Sequence, residues 1–201
     1  MIKFLFWNCQ GAASPEFWRY LKDFLRHNNP HVVALFEPRI NGLHADMVIA
    51  RFGLSNSFRV EASGLSGGIW LLLNDVIDVE ILKVSNQFVH GQARLTGSSH
   101  SMLFTVVYAS PNATIRRDLW ACLSDLNPGD DVSWLLGGDF NAILRTYEQA
   151  GVSSLGTGIS QPFQDFVFTN GLVEAVFRDK IFTSKRGHVR KHLDRCLFNK
   201  G

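Results

Sequence analysis

The sequence predicts an α+β fold, a four-layered sandwich of two packed, mostly antiparallel sheets flanked by helices. Three observations lead there. The 201 residues suffice for one domain with a sizeable core, and 46% of them are apolar, with 16 Phe and five Trp. Short β-prone runs recur, punctuated by Gly, Asn, Asp and Pro. Helical patterns are interspersed with hairpins instead of alternating regularly with strands, which argues against a doubly wound parallel sheet.

The elements follow in order. Ile2–Cys9 is apolar and β-prone. Ser14-Pro15-Glu16 is a helix start: a cap, a proline at the first helical position and an acid in the first turn. Phe17, Leu21, Phe24 and Leu25 then share a helical face, and Asn28-Asn29-Pro30 stops the helix. His31–Glu37 reads as a buried strand, and His44–Arg51 as a second helix ended by Gly53. Strands follow at Ser57–Ala62, Gly68–Leu73, Val76–Val84, Phe88–Leu95 and Met102–Ala109. Their connections are too short for helical crossovers, so they are expected to be antiparallel. A helix at Thr114–Leu126 places Leu119, Trp120 and Leu123 on one face. Ser133–Leu136 is a strand closed by Gly137-Gly138-Asp139, Gln161–Asn170 is a last helix, and Ala175–Phe198 suggests short strands around a basic loop.

Composition excludes several classes. The apolar fraction is too high for a disordered chain. The longest apolar runs, such as Val32–Phe36, have five residues, where a membrane span needs about 20. Three cysteines (Cys9, Cys122, Cys196) are few and far apart, which argues against a disulfide framework or structural zinc. The expected setting is therefore a reducing one, nuclear or cytoplasmic and not secreted. The net charge of +2 conceals an asymmetry: residues 180–201 carry seven basic residues against the single acid Asp194. Such a segment suits a polyanion.

Three apolar strands end in polar groups: Trp7-Asn8, Phe36-Glu37 and Gly138-Asp139-Phe140-Asn141. Each alone is ordinary, and the last reads as a turn with Asx hydrogen bonds. If the sheets bring these ends together, two carboxylates and two carboxamides converge. Oxygen ligands of that kind suit Mg²⁺, which keeps waters and takes one or two carboxylates plus a substrate phosphate.

Trp7-Asn8-Cys9-Gln10-Gly11, Leu35-Phe36-Glu37, Val106-Val107-Tyr108-Ala109, Gly137-Gly138-Asp139-Phe140-Asn141 and Leu193-Asp194-Arg195 stand in one order along the chain. As a set they resemble the endonuclease/exonuclease/phosphatase (DNase I-like) superfamily. Tyr108-Ala109-Ser110-Pro111-Asn112 and Arg116-Arg117-Asp118-Leu119-Trp120 make the likeness closest to the endonuclease domain of plant LINE-type (non-LTR) retrotransposons.

That resemblance implies a Mg²⁺-dependent phosphodiesterase, with Mn²⁺ as an alternative ion, that nicks DNA. Asn8 and Glu37 would be the metal-site residues. Tyr108 would reach the scissile phosphate, Asp139 would orient or deprotonate the attacking water, and Asn141 would be its neighbour on the phosphate. Asp194 would hold a catalytic histidine in its working tautomer. The nucleic-acid contacts would be Arg116, Arg117, Lys185, Arg186, Arg190 and Lys191, and a reverse transcriptase domain would be the partner in a parent element.

The family's closing Ser-Asp-His is not found in this sequence: none of the seven histidines follows Ser-Asp. The expectation is a domain over 1–201 that is incomplete at its C-terminus, lacks its last strand and is impaired. His192, on the run leading to Asp194, is the nearest stand-in. Leu172-Val173-Glu174 carries Glu where the family usually has Leu-x-Asp. Two alternatives stay open: a catalytically dead retroelement-derived fragment, and a phosphomonoesterase of the same superfamily.

Overall fold

The computed structural model describes residues 1–54, 56–61, 67–151, 158–176 and 182–199. The Ala62 end of the third expected strand, and Lys180 and Lys200 of the basic segment, lie outside the described residues. The chain divides into two compact units, Met1–Val106 and Val107–Gly201.

The first unit begins with β1 (Phe4–Asn8), α1 (Pro15–Asn28), β2 (Val32–Phe36) and α2 (Gly42–Ala50). β3 (Asn56–Val60) and β4 (Ile69–Leu73) complete a sheet of order β1-β2-β4-β3. β1 and β2 are parallel, joined through α1, and the other pairs are antiparallel. β2 and β4 are buried along their whole length, which is why both read as unbroken apolar runs. Phe17 and Leu21 of α1 and Ala45, Val48 and Ile49 of α2 share a core with Val33, Leu35, Trp70 and Leu72. Phe24, expected on that face, is exposed instead, while Leu25 packs on the core. The unit continues with the antiparallel pair β5 (Ile77–Val84) and β6 (Phe88–Leu95), followed by β7 (Ser101–Tyr108).

Ser14 caps α1 as expected, its Oγ accepting from the Phe17 N–H at 3.1 Å. Ser14→Ala should lower stability by about 1 kcal/mol, read as a small drop in the thermal melt.

The second unit takes up the end of β7 and adds α3 (Ala113–Ser124), β8 (Trp134–Asp139), β9 (Gln149–Ala150) and α4 (Gln161–Thr169). β10 (Val173–Glu174), β11 (Ser184–Arg186), β12 (Val189–Lys191) and β13 (Asp194–Phe198) follow. β13 lies between β10 and β8, and a small sheet has the order β11-β12-β9. Leu119, Trp120 and Leu123 of α3 are buried, as their spacing required. Trp120 stacks against Phe140, Phe163 and Phe166, with ring centroids 4.8–6.4 Å away. β8 does not stop at Leu136. It runs through Gly137 and Gly138 because β13 pairs with it residue for residue to Asp139. Among the described residues no helix is long and apolar enough to cross a membrane.

Candidate functional site

The sequence-predicted residues fall into two sets, one in each unit. In the first unit Asn8 ends β1 and Glu37 follows β2 directly. Because the strands are parallel and in register, Asn8 stands opposite Phe36. The Asn8 amide donates to Glu37 Oε1 at 3.4 Å. Glu37 has a left-handed backbone (φ 53°), unusual for a side chain with a Cβ. Its N–H donates to the Gly68 carbonyl, and a Cβ on Gly67 would lie 2.8 Å from Glu37 Cγ. A glycine at 67 is therefore what lets the strand end approach Glu37.

Arg39, also left-handed at φ 57°, donates to Glu37 Oε2 at 2.5 Å. Cys9, beside Asn8, donates its S–H to the Phe36 carbonyl, and burial raises its thiol to about 11, so it offers no thiolate at neutral pH. Among the described residues no three His, Cys, Asp or Glu side chains are grouped to hold an ion. The Glu37 carboxylate and the Asn8 carboxamide are oxygen donors of the kind a hard cation that keeps most of its waters takes.

In the second unit Asp139 ends β8, buried to 6% exposure. The Asn141 N–H donates to Asp139 Oδ1 at 2.9 Å, with Asn141 left-handed at φ 47°. This is the Asx turn the residues suggest, and it fixes one carboxylate oxygen. The Asn141 side-chain amide donates to the Ala109 carbonyl at 2.8 Å, and the Ala109 N–H donates to the Asp139 carbonyl at 2.8 Å. Asp139, Asn141 and the segment just after Tyr108, the last residue of β7, are thereby bound into one piece.

Asp194 is the direct ladder partner of Asp139. Burial pushes its carboxyl above the usual aspartate value. The Thr183 hydroxyl and the charges of His192 and Arg195 oppose that shift. Thr183 Oγ1 accepts from the N–H groups of both Leu193 and Asp194, at 3.0 and 3.1 Å. Thr183, just before the next strand, thus ties its own segment to the Asp194 backbone, and none of the motifs above includes it.

The basic residues divide. Arg116 is half-buried, donates to the Ser110 carbonyl at 2.6 Å, and keeps its Nε buried with no hydrogen-bond partner. Burial holds its guanidinium below the ordinary arginine value, with the Asp139 charge pulling the other way. Arg117, one residue on, is exposed. Lys185, Arg186, Arg190 and Lys191 lie on the β11–β12 hairpin, whose base is tied to Asp194 through Thr183. Lys185 and Arg190 are direct cross-strand partners. Like charges so placed repel unless an anion lies against them. Arg190 also stacks over the Phe182 ring at 5.3 Å.

His192 is buried, and its Nε2 lies 2.8 Å from Glu174 Oε1. It is engaged with the residue that departs from the family pattern. Glu148, absent from every motif above, is 1% exposed and pairs with Arg195 at 2.9 Å.

The profile of the endonuclease/exonuclease/phosphatase family matches residues 5–201. No curated protein matches. Several solved structures share the fold. The endonuclease domain of TRAS1, a telomere-specific non-LTR retrotransposon, superposes with a TM-score of 0.71 at 15% identity, covering 100% of this chain and 86% of that one. The AP endonuclease LMAP from Leishmania major gives 0.66 at 13% identity, covering 98% and 79%. D. rerio TDP2 complexed with a single-strand DNA product gives 0.62 at 13% identity, covering 98% and 83%. The fold is the expected α+β sandwich. The match over nearly the whole chain assigns this protein to the endonuclease/exonuclease/phosphatase family.

Proposed function

We propose that this protein is a divalent-metal-dependent phosphodiesterase that nicks DNA. The observation that carries the reading is Asp139, a buried carboxylate at a strand end, held by Asn141 and placed across the ladder from Asp194. A hydrolase of this family needs such a group within hydrogen-bond reach of the attacking water. The solved structures of similar fold include an AP endonuclease and a TDP2 complexed with a single-strand DNA product, which supports DNA as the substrate.

Asn8 and Glu37 are the residues that would hold Mg²⁺ or Mn²⁺, with Arg39 releasing Glu37 Oε2. A bound ion of this kind neutralises phosphate charge and polarises the P–O bond. Asp139 positions and deprotonates water, and Asn141 and Tyr108 contact the phosphate. Arg116 offers its half-buried cation to the phosphate beside Asp139. Hydrolysis leaves a 3′-hydroxyl and a 5′-phosphate. In a LINE-type element, of plants by sequence likeness, that 3′-hydroxyl would prime a partner reverse transcriptase. The working place is then nuclear or cytoplasmic. His192 Nε2 lies against Glu174 Oε1, and this reading gives His192 no part in the chemistry.

The basic hairpin discriminates DNA from a small phosphomonoester. Lys185 and Arg190 are expected to contact backbone phosphates. Replacing both with Ala should weaken duplex binding evenly across sequences. It should also flatten the plot of log affinity against log salt by about 0.9 for each phosphate that is no longer neutralised. Fluorescence anisotropy at several salt concentrations measures this.

The functional reading itself is tested on supercoiled plasmid with Mg²⁺, with Mn²⁺ and with chelator. It predicts nicks that need the ion and that DNA ligase seals. DNA binding without nicking would favour the inactive retroelement-derived alternative. Hydrolysis of phosphomonoesters alone would favour the phosphatase.

A further inference from the structure

Arg195 follows Asp194 on β13, so strand alternation turns its side chain to the opposite face. That side chain is 0% exposed, a rare state for an arginine. Its guanidinium spans three segments. Nη2 donates to Glu148 Oε2 at 2.9 Å, to the Ala142 carbonyl at 3.1 Å and to the His192 carbonyl at 2.9 Å. Nη1 donates to Glu148 Oε1 and Glu174 Oε1, both at 3.3 Å. The guanidinium also lies over the Phe163 ring at 5.3 Å.

Glu148 fastens the other side. Its Oε2 accepts from the Leu144 N–H at 2.7 Å, and its carbonyl accepts from the His192 N–H at 2.8 Å. A buried ion set is a poor way to gain stability, since apolar groups of the same volume serve as well or better. What this set does uniquely is geometric. Ala142 to Glu148 is the segment directly after Asp139 and Asn141, and His192 is two residues before Asp194.

We propose that Arg195 is a positioning residue for the phosphodiesterase chemistry. Its fork, clamped by Glu148 and Glu174, locks the segment behind Asp139 to the strand that carries Asp194. The inference rests on the nuclease reading for its activity arm. A planar fork presents five donors in a fixed geometry, whereas an ammonium presents three that rotate freely, so a lysine would hold these segments less rigidly.

The test uses the full chain and two conservative variants, Arg195→Lys and Glu148→Gln, which keep volume and most of the packing. Three readouts are taken: thermal melting, kcat and KM for plasmid nicking, and the side-chain carboxyl ¹³C resonances of Asp139 and Asp194. The clamp predicts folded variants with KM within about twofold of wild type and kcat lower by ~10-fold or more, because misplacement of about 1 Å costs up to ~10²-fold. It also predicts a shifted Asp139 resonance in both variants, and a shifted Asp194 resonance in Glu148→Gln; in Arg195→Lys the Asp194 signal is set aside, because Asp194 adjoins the substituted residue and feels its charge. Lower melting temperatures with unchanged kcat and unchanged resonances would overturn it and leave Arg195 a purely structural residue. If wild type does not nick, the nuclease reading fails, and the resonances alone decide the clamp: a shift upholds it, none overturns it.

Discussion

Asp139→Ala should abolish plasmid nicking while leaving the fold in place. The carboxylate is the proton acceptor in the proposed reaction, and such groups contribute roughly 10²–10⁴-fold. Its structural share is small by comparison. The substitution removes the hydrogen bond from the Asn141 N–H at 2.9 Å, and such a bond is worth about 0.5–1.5 kcal/mol. The bond from the Ala109 N–H to the Asp139 carbonyl is backbone to backbone and survives. Asp139→Asn sharpens the test. Its carbonyl oxygen can still accept from Asn141, so the turn is kept, yet an amide takes no proton from water. Both variants should melt within a few degrees of wild type and lose activity to the same extent.

Arg195→Ala should have the largest effect on stability. It strands Glu148 and Glu174 in a buried environment without their shared cation, and breaking such a set costs about 3–5 kcal/mol. For a chain of this size that is a drop in melting temperature of roughly 6–20 °C. The deficit should depend on pH. In the native protein burial favours the neutral form of Glu174, but the hydrogen bond from His192 and the charges of Arg195, His192 and Arg145 outweigh it and hold the carboxyl below its usual value. A group lowered in this way contributes stability that is present above its unfolded pKa of about 4.3 and is lost as pH falls through the folded value. Removing Arg195 removes part of that contribution. The gap between wild type and variant should therefore be widest near neutral pH and narrow in acid. Melts recorded from pH 7 down to about pH 4 check the sign, since below the unfolded pKa the contribution fades.

Local signals carried most of the elements. The Ser14-Pro15-Glu16 start, the α3 face and the apolar runs of β2 and β4 are written in neighbouring residues, and the fold honours them. The polar strand ends were legible for the same reason, because a carboxylate after an apolar strand stands out. Phe24 misled because helical spacing places it near the core face, while the stripe that packs is only wide enough for Phe17, Leu21 and Leu25. Gly67 could not be recognised as making room for Glu37, since the contact joins residues 30 positions apart through β2 and β4. Glu148 was silent for the same reason: its partner Arg195 is 47 residues away, and no local pattern marks a buried acid. Glu174 stands out in the sequence only as a departure from Asp, and the structure gives it two partners, His192 and Arg195.

The most direct measurement of the central claim is single-turnover conversion of supercoiled plasmid to open circle by the wild-type chain, with and without Mg²⁺ and beside Asp139→Asn. The account predicts ligase-sealable nicks by the wild type in Mg²⁺, none in chelator, and a loss of at least ~10²-fold in the folded variant. Nicking that proceeds in chelator, or that survives Asp139→Asn at the wild-type rate, would contradict it.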